Sequence, residues 1–118
     1  MSRDDRVRLR HMADAIEAAT AFIEGRARRD LDADRMLVFA LVRAVEIVGE
    51  AASKLSAEAR AELPAVPWSS IVGMRNRLIH AYFEVDLDIL WNTVTQALPP
   101  LADQIRAGLE ELGEGRDE

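Results

Sequence analysis

Apolar residues recur along this chain at intervals of three and four, the repeat of a helix with one stripe turned to a core. Between about Asp4 and Gly25 the stripe is Leu9, Met12, Ile16, Ala19 and Ile23, and Gly25 supplies the stop. A second stripe of Leu37, Leu41, Ala44, Val48, Ala51 or Ala52, and Leu55 follows Asp32 and Asp34. Either aspartate can cap that helix by accepting from an unpaired backbone N–H of its first turn. Ser56 opens a short segment, Ala57 to Leu63, that ends against Pro64, and Pro67 leads into the next element with Trp68 packed at the corner. Ser69 or Ser70 can cap a third helix, predicted to run to about Tyr82. Asp86 caps a fourth, whose stripe is Ile89 or Leu90, Val94, Ala97, Leu101, Ile105 and Leu109. Pro99 and Pro100 interrupt it, and a kink or a new helix start is expected there. There is no internal repeat and no strand-like alternation. The pattern predicts an all-α fold, an antiparallel bundle of four to five helices forming one domain over residues 1–112, with a frayed acidic tail at 113–118.

Composition narrows the function more than the fold. The chain has 118 residues, 49% hydrophobic and 31% charged, and no apolar run nears the roughly 20 residues that span a bilayer. The N-terminus lacks the apolar stretch of a signal peptide, so a cytoplasmic location is expected. The absence of cysteine excludes disulfides, thiolate metal sites and a cysteine nucleophile. His11 and His80 are the only histidines, and neither sits in a metal-binding spacing; no glycine-rich phosphate loop occurs, so neither a metal nor a cofactor is expected. A net charge of −6 disfavours adhesion to nucleic acid over the whole surface, because such binding needs a broad basic face. Any contact of that kind must be local. Lys54 is the only lysine; Arg3, Arg6, Arg8 and Arg10 cluster at one end, and Arg26, Arg28 and Arg29 near the first turn. His11 and the N-terminal arginines offer an extension to a nucleic-acid-binding surface, but solvated helix surface is the better reading for them and for the second cluster.

Reactive groups concentrate between Gly73 and Asp86. On a helix of 100° per residue with Arg75 at zero, Ile71, Leu78, Met74 and Ala81 fall between about −40° and −120°, which defines the core side. Asn76 and His80 then lie at about +100° and +140°, facing outward, while Tyr82 falls within about 20° of Arg75 at the border of the stripe. A straight helix would therefore part His80 from Arg75 and Tyr82. The three can share a substrate only if the helix ends or distorts near His80, or if a second subunit brings its own copy across a twofold interface. A histidine titrates near neutrality and can act as acid or base, and an arginine offers a planar fork of donors to a phosphate.

The run Arg75-x-x-x-x-His80-x-Tyr82, with Asn76 directly after the arginine, resembles the motif of HepT-like proteins in the HEPN superfamily, small helical ribonuclease toxins. Arg43-Ala-Val-Glu-Ile-Val-Gly-Glu-Ala-Ala52, Pro67-Trp68, Gly73-Met-Arg-Asn76, Phe83-x-Val-Asp86 and Leu90-Trp91 resemble the family pattern in order and spacing, from about Arg8 to Ile105. Ala81 departs from it, standing where relatives often carry glycine. The resemblance implies a homodimer whose paired motifs cut RNA, such as tRNA or mRNA, without a metal. Arg75 and His80 would be catalytic, with Asn76, Tyr82 and Glu50 binding phosphate or supporting them. It also implies a partner, a minimal nucleotidyltransferase antitoxin that adds AMP to Tyr82. Glu46 and Glu50, one turn apart, can orient Arg75 or His80, or simply be solvated. Two other readings stand beside the ribonuclease: a non-catalytic module that binds nucleotides or presents substrate to a nucleotidyltransferase, and a purely structural helical dimer.

Overall fold

The computed structural model describes residues 1–79 and 84–111. Its elements are α1 (Arg3–Phe22), α2 (Asp30–Ala33), α3 (Arg35–Ser53), α4 (Ala57–Glu62), α5 (Trp68–Val72), α6 (Met74–Leu78), α7 (Leu87–Asn92), a π-helical turn (Thr93–Ala97) and α8 (Leu98–Glu111). The fold is all-α, a HEPN-like bundle. Among the described residues the one β-type pairing is an isolated antiparallel bridge between Ile79 and Val85.

The two long stripes lock against each other. Leu9, Met12 and Ile16 of α1 and Leu41, Val45 and Val48 of α3 are at most 1% exposed, and α1 packs chiefly on α3 and next on α8. Full burial of one such side chain is worth about 1.5–3 kcal/mol, so this seam carries much of the folding energy. Three helices begin at expected caps. Asp34 accepts from the N–H of Leu37, Ser56 from Ala59 and Asp86 from Ile89. Gly25 takes a φ of 75°, a left-handed conformation that favours glycine, just after α1 ends. Trp68 turns the corner by donating its indole N–H to the carbonyls of Arg60 and Leu63, both at 3.1 Å.

Asp5 ties the start of α1 to the entry of α4. It is 4% exposed and accepts from the Ser56 backbone N–H at 3.0 Å and the Ser56 hydroxyl at 2.7 Å. Burial pushes its carboxyl pKa up, but the hydrogen bonds from Ser56 and Ser2 and the charge of Arg8 outweigh it, leaving the group below its ordinary value.

Two expectations about the third helix need correction. The third helix does not start on a serine cap and does not reach Tyr82. It begins at Trp68 with Pro67 at the cap position and no side-chain cap, divides at Gly73, and ends at Leu78. Ile79 is already extended, at φ −110° and ψ 118°, held by its bridge to Val85 and by the Asp86 N–H donating to the Leu78 carbonyl at 2.7 Å. The straight-helix placement of His80, Ala81 and Tyr82 thus loses its premise, and these residues lie outside the described ones, as does the tail at 113–118. At the other end, the new helix start expected at Pro99 and Pro100 is found: α8 begins at Leu98, directly before them. The helical path runs on from α7 into α8, and its irregularity is the π-helical turn just before the prolines. That wide turn absorbs an extra residue, so Leu98, fully buried, takes the core position expected for Ala97, which is exposed.

Candidate functional site

Arg75 projects from α6, a helix too short to stand alone and fixed by its apolar side. Ile71, Met74 and Leu78 are at most 5% exposed, and they occupy the core face that helical periodicity assigned them. Gly49 of α3 sets how closely this segment approaches. A Cβ there would lie 3.5 Å from the Ile71 carbonyl oxygen and 3.6 Å from that of Val72, so the end of α5 rests almost on the α3 backbone. Arg75 and Asn76 are left facing solvent.

The guanidinium of Arg75 is nevertheless held. Its Nε donates to Oε2 of Glu46 at 2.8 Å, and its side chain is 47% exposed. Glu46 is the more sheltered partner, at 23%. The other oxygen of the same carboxylate lies 3.8 Å from a terminal nitrogen of Arg43, whose guanidinium also lies 3.6 Å from Glu50. A chain of alternating charge therefore runs Arg75, Glu46, Arg43, Glu50 along one face of α3. Pairs this exposed add at most about 1 kcal/mol each. Their consequence is orientation: with the Nε–H of Arg75 engaged by Glu46, the Nη donors remain to receive a phosphate oxygen.

Of the two glutamates flagged in the sequence, Glu46 contacts Arg75, while Glu50 meets Arg43. The part played by Arg43 was not singled out from the sequence. The signal is there, since Arg43, Glu46 and Glu50 are spaced by three and four and share a helix face. Asn76 is exposed and its N–H donates to the Gly73 carbonyl. Asp86 caps α7 and bonds the end of α6, so both flanks of the segment containing His80 and Tyr82 are fixed, while those two residues lie outside the described ones. No group of three or more His, Cys, Asp or Glu side chains with the geometry of a metal site occurs among the described residues, and no helix there is long and apolar enough to cross a membrane.

The described residues form an all-helical, HEPN-like bundle with Arg75 tethered to α3 at its surface. The chain belongs to the HepT-like ribonuclease family: the family model "Ribonuclease HepT-like" matches residues 12–107. It is 38% identical over 101 residues to a protein of Thermococcus cleftensis named "Probable ribonuclease HepT", covering 86% of this chain and 92% of that one. It is 37% identical over 103 residues to a protein of Caldanaerobacter subterraneus subsp. tengcongensis named, with the same reservation, as an RNase, covering 87% and 92%. A protein of Methanocaldococcus jannaschii, named both a gamma-glutamylcyclotransferase and an RNase, is 32% identical over 99% of this chain but 53% of its own length. No solved structure matches the chain significantly.

Proposed function

We propose that this protein is the toxin of a toxin–antitoxin pair, an endoribonuclease that needs no metal and acts as a homodimer through Arg75 and His80. The observation that carries the reading is the half-exposed guanidinium of Arg75, whose Nε is held by Glu46 at 2.8 Å, in a chain of the HepT-like ribonuclease family. Cleavage proceeds by attack of the ribose 2′-oxygen on the adjacent phosphorus. A base takes the 2′-hydroxyl proton, the bond to the 5′-oxygen breaks, and an acid protonates that leaving oxygen. The products are a 2′,3′-cyclic phosphate and a 5′-hydroxyl end. His80 of each protomer serves one of the two proton roles, and Arg75 stabilises the charge that builds on the phosphorane oxygens. Asn76 and Tyr82 support substrate or histidine.

The dimer reading is supported by an apolar patch on the N-terminal half of α3, where Met36 is 82% exposed and Phe39 59%, on the same face as Arg43 and Glu46. Silencing is assigned to a nucleotidyltransferase antitoxin. The Tyr82 oxygen attacks the α-phosphorus of ATP, pyrophosphate leaves and the phenol proton is lost. The resulting adenylate adds negative charge to the motif, which repels RNA.

The test is incubation of purified protein with total cellular RNA and tRNA in EDTA. Discrete products from the wild type, lost in His80→Ala and reduced about 10²–10³-fold in Arg75→Ala as for loss of one preorganised donor, are expected. An unmodified, dimeric sample that yields no product would replace this reading with the non-catalytic nucleotide-binding module.

A further inference from the structure

A groove of about 380 Å³ opens between α1 and α3, with Arg43 in its lining. Arg8 and His11 line it from α1, Arg43 from α3 and Lys54 from the α3 cap, against two carboxylates, Asp4 and Glu50. In a protein of net charge −6 the groove is a local reversal of sign. One of its carboxylates is already engaged, since Glu50 pairs with Arg43 at 3.6 Å. The charge of Arg8 also acts on Asp5, whereas no ion pair is found for His11 or Lys54 among the described residues. The floor between the cations is aliphatic, formed by Val7, Ile47 and Ala51. That is a surface for the face of a ribose or a base, with no aromatic ring in its lining.

We infer that this groove is a second RNA subsite, which holds the phosphates of the strand flanking the one gripped by Arg75. The inference rests on the ribonuclease reading for its polarity but not for its geometry. Two features favour a strand over a free nucleotide. The groove is open to solvent rather than enclosed around a base. It also adjoins Arg75 through Arg43, which lines the groove and shares the carboxylate of Glu46 with Arg75, at 3.8 Å and 2.8 Å. A chain of phosphates leaving Arg75 thus meets Arg43 next, then Arg8 and Lys54. Such contacts read backbone charge and not sequence. The groove therefore extends the footprint of the enzyme without narrowing its choice of base.

The experiment uses the full chain carrying Arg8→Ala and Lys54→Ala together, both surface positions, with Arg106→Ala plus Arg26→Ala as a variant of equal charge loss elsewhere. Binding of a labelled single-stranded oligouridylate of about 20 nucleotides is measured by anisotropy across a salt series, with Arg75→Ala as background so that the RNA stays intact. The groove variant should bind about tenfold more weakly, and its dependence of log K on log salt should flatten by about 1.4, the loss of two phosphate contacts on a single strand. The control variant should match its parent. In the cleaving protein, the preference for a long RNA over the shortest RNA it cuts, taken as a ratio of kcat/KM, should fall by the same factor. Equal weakening in both variants, an unchanged salt slope, or AMP competing with the oligouridylate as strongly as a second oligonucleotide does would each overturn the subsite. A parent that binds RNA in the groove without ever cleaving it would remove the ribonuclease reading and leave the subsite standing.

Discussion

The α1–α3 pair and the α5–α6 segment are built on opposite terms. Helices α1 and α3 have 20 and 19 residues, and Ser2 and Asp34 cap their first turns by accepting from Asp5 and Leu37. Helices α5 and α6 have five residues each and no side-chain cap. Isolated helices shorter than about 12–15 residues are marginal in water, so the segment that carries Arg75 takes its order from α3 by resting on Gly49, burying Ile71, Met74 and Leu78, and pairing Arg75 with Glu46. The long helices hold the fold, and in the proposed function the short ones hold the chemistry. Stability and activity should therefore respond to different substitutions.

The largest effect on stability belongs to the seam. Leu41 is fully buried, and Leu41→Ala should cost about 2–5 kcal/mol, read as a fall in the denaturation midpoint by circular dichroism. The site should lose activity only through the unfolded fraction, so specific activity per folded molecule should hold. A selective loss of activity in folded Leu41→Ala would show that the two regions are not separable in this way.

The tie between Asp5 and Ser56 comes next. Asp5→Ala removes the acceptor of two hydrogen bonds to a charged group, worth about 1.5–3 kcal/mol each before relaxation, and unlike Leu41→Ala its effect depends on pH. The folded carboxyl lies below its ordinary value of 3.8, so the unfolded chain binds the proton more readily. The stabilisation is complete above that value and is lost as the pH falls through the lower folded pKa. Asp34, lowered by the Leu37 N–H and Arg26, acts in the same direction. Chemical denaturation of the wild type should thus weaken below about pH 4, and less steeply in Asp5→Ala. Parallel pH profiles would assign the acid loss to other carboxylates.

Gly49 tests the contact between the two regions. Alanine there meets Ile71 and Val72 at ordinary van der Waals distances and removes backbone freedom from the helix, so Gly49→Ala should be neutral or more stable by up to about 1 kcal/mol. Gly49→Val must push on backbone carbonyls that cannot rotate away, at about 1–3 kcal/mol. Because what it displaces is α5 and with it Arg75, its cleavage rate should fall by more than its unfolding accounts for. Equal stability in the two variants would mean that α5 stands further off than described.

How much of this was legible in the sequence follows the same division. The stripes of α1 and α3, the caps at Asp34, Ser56 and Asp86, and the corner at Trp68 are local signals, and each leads to the element found. Periodicity also put Ile71, Met74 and Leu78 on the core side. What it missed depends on contacts distant in sequence. The end of α6 at Leu78 is enforced by Val85 and Asp86 reaching back to it, and no propensity in Ile79 announces that. The apolar spacing from Val94 to Leu101 fits Ala97 or Leu98 equally until a π-helical turn decides. The pairing of Glu46 with Arg75 spans 29 residues, so the sequence shows two glutamates one turn apart on α3 but not which of them the α5–α6 segment meets.

That pairing carries the smallest expected effect and the sharpest discrimination. Glu46 touches no substrate in this reading; it positions Arg75. Since the pair is exposed, Glu46→Ala should change stability by no more than about 1 kcal/mol. Cleavage should fall by up to about tenfold, because a guanidinium free to wander is aligned on the phosphate for less of the time. A structural role would lower kcat and folded fraction together, whereas a positioning role lowers kcat/KM at an unchanged denaturation midpoint. Glu46→Gln separates hydrogen bonding from charge: its amide oxygen can still accept from Nε, so it should recover much of what alanine loses. If glutamine is no better than alanine, the charge of Glu46 and not its geometry acts on Arg75. If neither variant changes cleavage, Arg75 orients itself on the substrate without help from α3.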